Sequence, residues 1–384
     1  MHFVRFLSFT DSNFEFCHNW SMELVSNTFD NSSLIIFNLS TDKDNVALSF
    51  ACDWIEEFAK RYAVVRVWSV HVGFYDLPAN VRVTELGGGS LTKRFLIILR
   101  IFPILFYLIK KRNSHVFYHM NAPIAALLGT LFKIFKIPQI LWYSHAHASA
   151  ALRIAVYLVD KVVSTSSESF PLFTKKLIPT GHGVRDQNTV RPPQINPTYS
   201  ISFLGRVSRV KRLEILLNEV SMFQKVHDQQ FKIFVIGPCE GARDQKYKSE
   251  LTDLAKKGDV ELIFIGSIPH KNVQFELSKC DLAFNGTLKS LDKGAIESVF
   301  AKCILISDQS NTLIECGYSD FSLDASGEAL TISEQLSLIV SLSESQKTAL
   351  TEKAKIETFF RHSLSSTIDK ICMGFSNIKS SNEK

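Results

Sequence analysis

Two stretches of this 384-residue chain concentrate cations where a strand gives way to a helix. The first, Gly205-Arg206-Val207-Ser208-Arg209-Val210-Lys211-Arg212, follows the apolar run Ser200–Leu204. It precedes a helical pattern with Leu213, Leu216 and Leu217 on one face. Gly205 permits a tight turn there. Guanidinium and ammonium groups at such a junction suit a diphosphate. Four cations at a helix N-terminus oppose its dipole, which calls for an anionic guest; a solvated basic first turn is the other reading. The second stretch, Asp281–Ser307, reads as strand Asp281–Phe284, polar loop Asn285–Lys293, helix, and strand Cys303–Ile306. Lys289 and Lys293 stand in the loop, and free N–H groups at a helix mouth also favour phosphate. Glu297 follows in the first turn of that helix. A carboxylate beside an anion needs hydroxyl or amide donors, such as those of a ribose. Alternatively, Glu297 is the N3 partner of a capping box with Gly294 at its N-cap.

Histidines form a third group. The strand Gln139–Tyr143 ends in Ser144-His145-Ala146-His147. A histidine past the carboxyl end of a parallel strand faces the crevice where ligands bind such sheets. A hydrogen-bonding or acid/base role suits one of the pair, and a helix-capping role is the alternative. No third ligand stands at metal-binding spacing. Another strand, Val116–His119, also ends in histidine. The pair Asp42 and Asp44 lies in a loop without further ligand groups and reads as solvated.

The elements that must position these residues alternate along the chain. Strands are expected at Leu34–Asn38, Val64–Val70 and Val81–Leu86, with a helix over Ala47–Arg61. Then come strands at Lys161–Thr165 and Lys176–Pro179, the latter leading to Gly181-His182-Gly183. The proline-rich Gln187–Pro197 is the best domain boundary. Strands resume at Ser200–Leu204, Lys232–Gly237 and Glu261–Gly266. Helical patterns close the chain over Ile332–Leu342, Ser345–Phe360 and Leu364–Phe375, and the tail Ser376–Lys384 reads as polar and frayed. Alternation of this kind specifies α/β architecture: two Rossmann-like domains with parallel sheets and a cleft between them. The division is 1–32 extension, 33–186 first domain, 198–360 second domain, and 361–384 terminal helix and tail.

Composition narrows the partners. The chain is 46% apolar and 21% charged with a net charge of +5, enough for large cores and too weakly basic for a nucleic-acid protein. Seven scattered cysteines without C-x-x-C spacing read as free thiols in a reducing compartment. No signal peptide is evident at the N-terminus. Lys93–Arg112, KRFLIILRIFPILFYLIKKR, is interrupted by Arg100 and Pro103. A spanning helix needs about twenty apolar residues, so this segment reads as a buried helix or as one docked at the bilayer interface.

Together these stretches resemble retaining, family-4-type glycosyltransferases of the GT-B fold. LGRVSRVKRLEILL resembles the family's G-R-x-x-x-x-K-G-x-x-x-L turn, DLAFNGTLKSLDKGAIESVFAKCILIS its E-x7-E segment, and WYSHAHASAALRIAVYLVDKVVSTSSESF the end of its first domain. The likeness runs over about residues 33–375, with each motif degenerate alone. It implies that Arg206 and Lys211 hold the donor diphosphate, that Glu297 binds the ribose hydroxyls, and that His145 contacts the transferred sugar as the catalytic residue. The family's first Glu falls at Lys289 here, where Ser290, Asp292 and Lys293 stand to replace it. Its Gly-x-Pro after the helix reads Lys302-Cys303-Ile304. Gly205, Asn285, Lys289, His119 and His147 complete the residues expected near donor or acceptor. The resemblance implies transfer from a nucleoside-diphosphate sugar to a glycan or lipid-linked acceptor. Neither metal nor separate cofactor takes part. The protein would be cytoplasmic, with a peripheral inner-membrane contact through Lys93–Arg112. Two other readings share the pattern: a nucleotide-sugar epimerase, for which no carboxylate acid/base set is found, and a non-catalytic scaffold of glycan assembly.

Overall fold

The computed structural model describes residues 29–45, 48–87, 103, 113–145, 147–190, 192, 198–288, 291–322 and 330–382. Residues 1–28, all of Lys93–Arg112 except Pro103, and both Lys289 and Ser290 lie outside the described residues.

The first lobe is a seven-stranded sheet ordered β3-β2-β1-β4-β5-β6-β7. Its strands are β1 (Phe29–Thr41), β2 (Tyr62–Val72), β3 (Val81–Glu85), β4 (Ser114–His119), β5 (Gln139–Trp142), β6 (Lys161–Ser164) and β7 (Leu177–Pro179). Every pairing is parallel. Leu34, Ile35, Ile36 and Phe37 are all buried, so central β1 is covered on both faces, as parallel sheets require. Helices α1 (Phe50–Ala59), α2 (Ala122–Ile134) and α3 (Ala150–Leu158) connect the strands. The second lobe has strands β8 (Tyr199–Leu204), β9 (Phe231–Ile236), β10 (Glu261–Gly266), β11 (Leu282–Phe284) and β12 (Ile304–Ile306), again parallel and ordered β10-β9-β8-β11-β12. Its helices are α4 (Leu213–Val226), α5 (Gly241–Gly258), α6 (Val273–Ser278), α7 (Lys293–Phe300), α8 (Ser310–Glu315), α9 (Ile332–Ser341) and α10 (Glu344–His362). A last helix, α11 (Leu364–Asn382), follows.

Two expectations are corrected. The first strand begins at Phe29 rather than Leu34, because it pairs with β2 from Tyr62 onward across an irregularity between Phe29 and Ser33. The tail is helical as far as Asn382. Its polar composition concealed one buried position, Ile378, which holds the end of α11 against the first lobe.

Helix α11 returns the chain to the first sheet. Ile368, Ile371, Cys372 and Phe375 pack with Trp54, Phe58, Val65 and Phe117 in one cluster. Phe375 stacks on His115 at 4.7 Å, and Arg61 binds Asp369 at 2.7 Å. The return passes beside the outward connection. Val184 N–H donates to His362 O at 3.0 Å and Leu364 N–H to Val184 O at 2.9 Å. Gly183 sits at φ +66°, and a Cβ there would lie 2.3 Å from the Trp54 ring, whose Nε1–H donates to Gly183 O. Only glycine fits.

The fully buried Phe375 yields a test of this packing. Phe375→Ala should lower stability by about 3–5 kcal/mol. The expected readout is a lower urea midpoint for the first lobe, followed by tryptophan fluorescence.

Candidate functional site

The carboxyl ends of β8, β9 and β10 lie side by side in one sheet, and the turns after β8 and β10 reach α7. Gly205 follows β8 and Gly237 follows β9. A Cβ on Gly237 (φ +142°) would meet Gly205 O at 2.1 Å, so the two turns touch backbone to backbone. Arg206 follows, its side chain half-exposed and 3.8 Å from Asp244 of α5.

The remaining cations of this turn do not enter the first turn of α4. Arg209–Lys211 form a separate 3₁₀ turn, and Arg212 takes a left-handed conformation (φ +55°) before Leu213 begins the helix. The first turn itself carries Glu214, so the expected conflict with the helix dipole does not arise. Arg209 is engaged by Glu250 and lies 5.2 Å over the Tyr247 ring. Arg212 binds Asp308 at 2.6 Å. Lys211 binds the Asp292 carboxylate and approaches Thr287 Oγ1 at 3.2 Å. The Lys211 stem passes beside Gly205, its Cε 3.6 Å from where a Cβ would stand.

Asp292 is the N-cap residue of α7, which makes Lys293 the first helical residue. Glu297 therefore sits in the second turn, and the capping box with Gly294 is not formed. Glu297 is 4% exposed. Its Oε1 lies 2.9 Å from His270 Nε2 and 3.2 Å from Lys293 Nζ, and those two nitrogens are 3.0 Å apart. Burial alone would raise this carboxyl; Lys293 and the His270 hydrogen bond overcome it and hold Glu297 below the usual range. His270 was not singled out from the sequence. The available signal was its place four residues beyond the end of β10, on the ligand-binding side of a parallel sheet.

The first lobe reaches this cluster through α1. Lys293 Nζ lies 5.1 Å over the Phe50 ring. Asp53 and Glu56 bind Arg185 at 3.4 and 2.8 Å. Burial raises the Asp53 carboxyl despite Arg185 and His270. The His182 ring, 5.8 Å from that of His362, has a buried Nε2 without a hydrogen-bond partner. Burial, then His362, push its pKa to about 3. A cavity of about 380 Å³ opens beside this region, between Thr165, Ser166 and Glu168 of the first lobe and Leu291, Gln309 and Thr312 of the second.

The structure thus draws Lys211, Asp292, Lys293 and Glu297 into one group, with Gly205 and Arg206 on the adjoining turn. Asn285 is buried just before it, where its carbonyl accepts from Ser307 Oγ at 2.6 Å. His145 and His147 are exposed in the loop between β5 and α3, His145 edge-on to Tyr143 at 5.7 Å. His119 lies in the core, stacked on Trp54 at 4.8 Å and against Trp142 at 5.1 Å. Among the described residues no three His, Cys, Asp or Glu side chains converge as metal ligands, and no helix is long and apolar enough to cross a membrane.

No family model matches the chain, and no curated protein matches its sequence. Solved structures do match its fold. HepE from Anabaena, in complex with UDP and glucose, is 14% identical with a TM-score of 0.63, over 89% of this chain and 99% of that one. A glycosyltransferase from Rickettsia africae is 13% identical with a TM-score of 0.66, over 91% and 99%. The chain has the GT-B fold. An α,α-trehalose 6-phosphate synthase from Burkholderia multivorans shares it, with 11% identity and a TM-score of 0.63 over 91% of this chain and all of that one. In GT-B terms, the Lys211–Glu297 group stands on the second lobe and faces the first.

His119 provides a pH test. Burial depresses its pKa to about 3 from an ordinary 6.5. The folded ring is neutral while the unfolded one is protonated below 6.5, so stability falls as pH drops from 6.5 towards 3. His119→Phe keeps the aromatic stacking and should flatten that fall by about one proton in the stability–pH slope. Urea titrations at several pH values measure it.

Proposed function

We propose that this protein is a retaining glycosyltransferase. It moves a sugar from a nucleoside-diphosphate sugar to a glycan or lipid-linked acceptor, in the assembly of surface polysaccharide or another glycoconjugate. The observation that carries this reading is the convergence of Lys211, Lys293 and the amino end of α7 beside a buried Glu297, in a crevice of the GT-B fold. That three solved forms of HepE hold UDP or UDP-glucose supports it.

The chemistry follows from charge. Breaking the bond to the donor sugar leaves negative charge on the departing diphosphate. Arg206, Lys211 and the free N–H groups of α7 supply fixed positive charge where it develops, with no metal called for. Before donor binds, Asp292 neutralises Lys211; the diphosphate competes with that carboxylate for the same ammonium. Glu297 accepts from the ribose hydroxyls, held in place by His270 and Lys293. Ser290, Asp292 and Lys293 stand in for the missing first glutamate. His145, from the first lobe, orients the transferred sugar, with His147 in the same loop. Retention requires the acceptor hydroxyl to approach on the face the diphosphate leaves. Residues 33–186 serve as the acceptor domain and 198–360 as the donor domain. The basic apolar segment Lys93–Arg112 brings the cytoplasmic protein to the inner membrane face.

Lys211→Ala and Arg206→Ala should each lower turnover about a hundredfold or more, with unchanged circular dichroism. Near-normal turnover in both defeats the proposal. Thermal stabilisation by a nucleoside diphosphate without any transfer would leave a nucleotide-binding protein that is not a transferase.

A further inference from the structure

Next to the mouth of α7 lies the cavity of about 380 Å³ between the lobes, within the size range of small-molecule sites. Leu291 forms part of its wall and directly precedes Asp292, the N-cap residue of α7 that binds Lys211. On the first lobe the wall includes Thr165, whose hydroxyl lies 2.9 Å from that of Ser144, the neighbour of His145. A sugar joined to a diphosphate at the mouth of α7 therefore has this cavity beside it.

The polar groups of the wall are of three kinds. Thr165, Ser166, Gln309 and Asn311 offer hydroxyls and amides, which both donate and accept and so match the hydroxyls of a sugar. Glu168 from the first lobe and Glu315 from α8 offer carboxylates, which only accept. No Lys or Arg is among the described residues that line the cavity. Arg361, close by, is spent on the carbonyls of Ile314 and Glu315, at 2.6 and 3.2 Å. The third kind is the His362 ring, which lines the cavity although His362 is 3% exposed. Its Nε2 lies 3.4 Å from Glu315 Oε2, and its Nδ1 has no hydrogen-bond partner. A buried ring nitrogen left in that state is costly, and a hydroxyl in the cavity would relieve it.

We propose that this cavity takes the sugar of the donor and selects one without negative charge, a neutral or amino hexose rather than a uronate. The inference rests on the reading of the protein as a nucleotide-sugar enzyme, and it names the class of sugar. Charge divides the two ends of the donor. Lys211 and Arg206 draw the diphosphate, while the carboxylates beyond α7 oppose a second anion. Hydroxyls of the sugar donate to Glu168, Glu315 and His362, and Gln309 can donate or accept in return. The two carboxylates come from opposite lobes, so a sugar held by both is read by both halves of the fold.

The test is calorimetry on the full chain. Titration with the free nucleoside diphosphates of uracil, guanine, adenine, cytosine and thymine finds the base. The glucose and galactose donors of that base are then each compared with the matching uronate, which differs only at C6. The better hexose donor should bind about tenfold or more tightly than its uronate. Glu168→Gln with Glu315→Gln should shrink that preference to about threefold or less, with affinity for the free diphosphate unchanged. Gln309→Ala should weaken the hexose donor about fivefold, again without effect on the diphosphate. Melting temperatures check that the variants fold. Where Glu315→Gln lowers the melting temperature, Glu168→Gln alone, at an exposed position, carries the comparison. A uronate donor bound as tightly as its hexose overturns the proposal. So does a preference that the variants leave intact, which would place the sugar elsewhere. Failure of every nucleoside diphosphate to bind defeats the reading of the protein as a nucleotide-sugar enzyme and this inference with it. Binding of a diphosphate without discrimination at C6 defeats this inference alone.

Discussion

A carboxylate out of reach of water must have positive charge beside it, and the second lobe is organised around meeting that need for Glu297. Removing one charge from such a buried group costs several kcal/mol by the usual measure of broken buried pairs, about 3–5. Lys293 comes from one turn earlier on the same helix, and His270 from the loop after β10. The partners therefore tie α7, which follows β11, to β10 at the far edge of the sheet. Lys211 and Asp292 tie the same helix mouth to the turn after β8. Three carboxyl-end segments, after β8, β10 and β11, are thereby locked into one arrangement.

The orientation of that group towards the first lobe rests on the double crossing. Outward and returning chains exchange two backbone hydrogen bonds at Val184, and the Trp54 indole closes over Gly183. Lys355 adds an ion pair with Asp186 at 2.8 Å, next to the outward strand. Because α11 buries its apolar face in the first lobe, the lobes cannot part without carrying this joint with them. Phe50 and Lys293 meet between the two lobes.

Much of the second lobe was legible in the sequence for a simple reason. Its strands are short apolar runs bounded by glycine or polar residues, and its chemistry lies just past their ends. Gly205, Arg206, Lys211, Asp292 and Glu297 were all reachable by that logic. The first lobe was less so. His119 ends a strand as a ligand-facing histidine would, yet its ring packs among Trp54, Trp142 and Phe50, because a one-residue step along a strand reverses the face. His145 and His147 follow the end of β5, in loop conformations that no period specifies.

Local order was thus written in the chain itself: alternating strands and helices, cations beside particular turns, and a glycine wherever backbone meets backbone. Those features depend on neighbours within a few residues, which sequence displays directly. The choice of partners was left to tertiary structure. That His270 rather than a nearer residue shares Glu297, that Arg209 and Arg212 are taken up by Glu250 and Asp308, and that Ile378 anchors a polar tail all depend on contacts between segments far apart in sequence. Ion pairs and packing form wherever distance and burial permit, and only the folded chain sets either one.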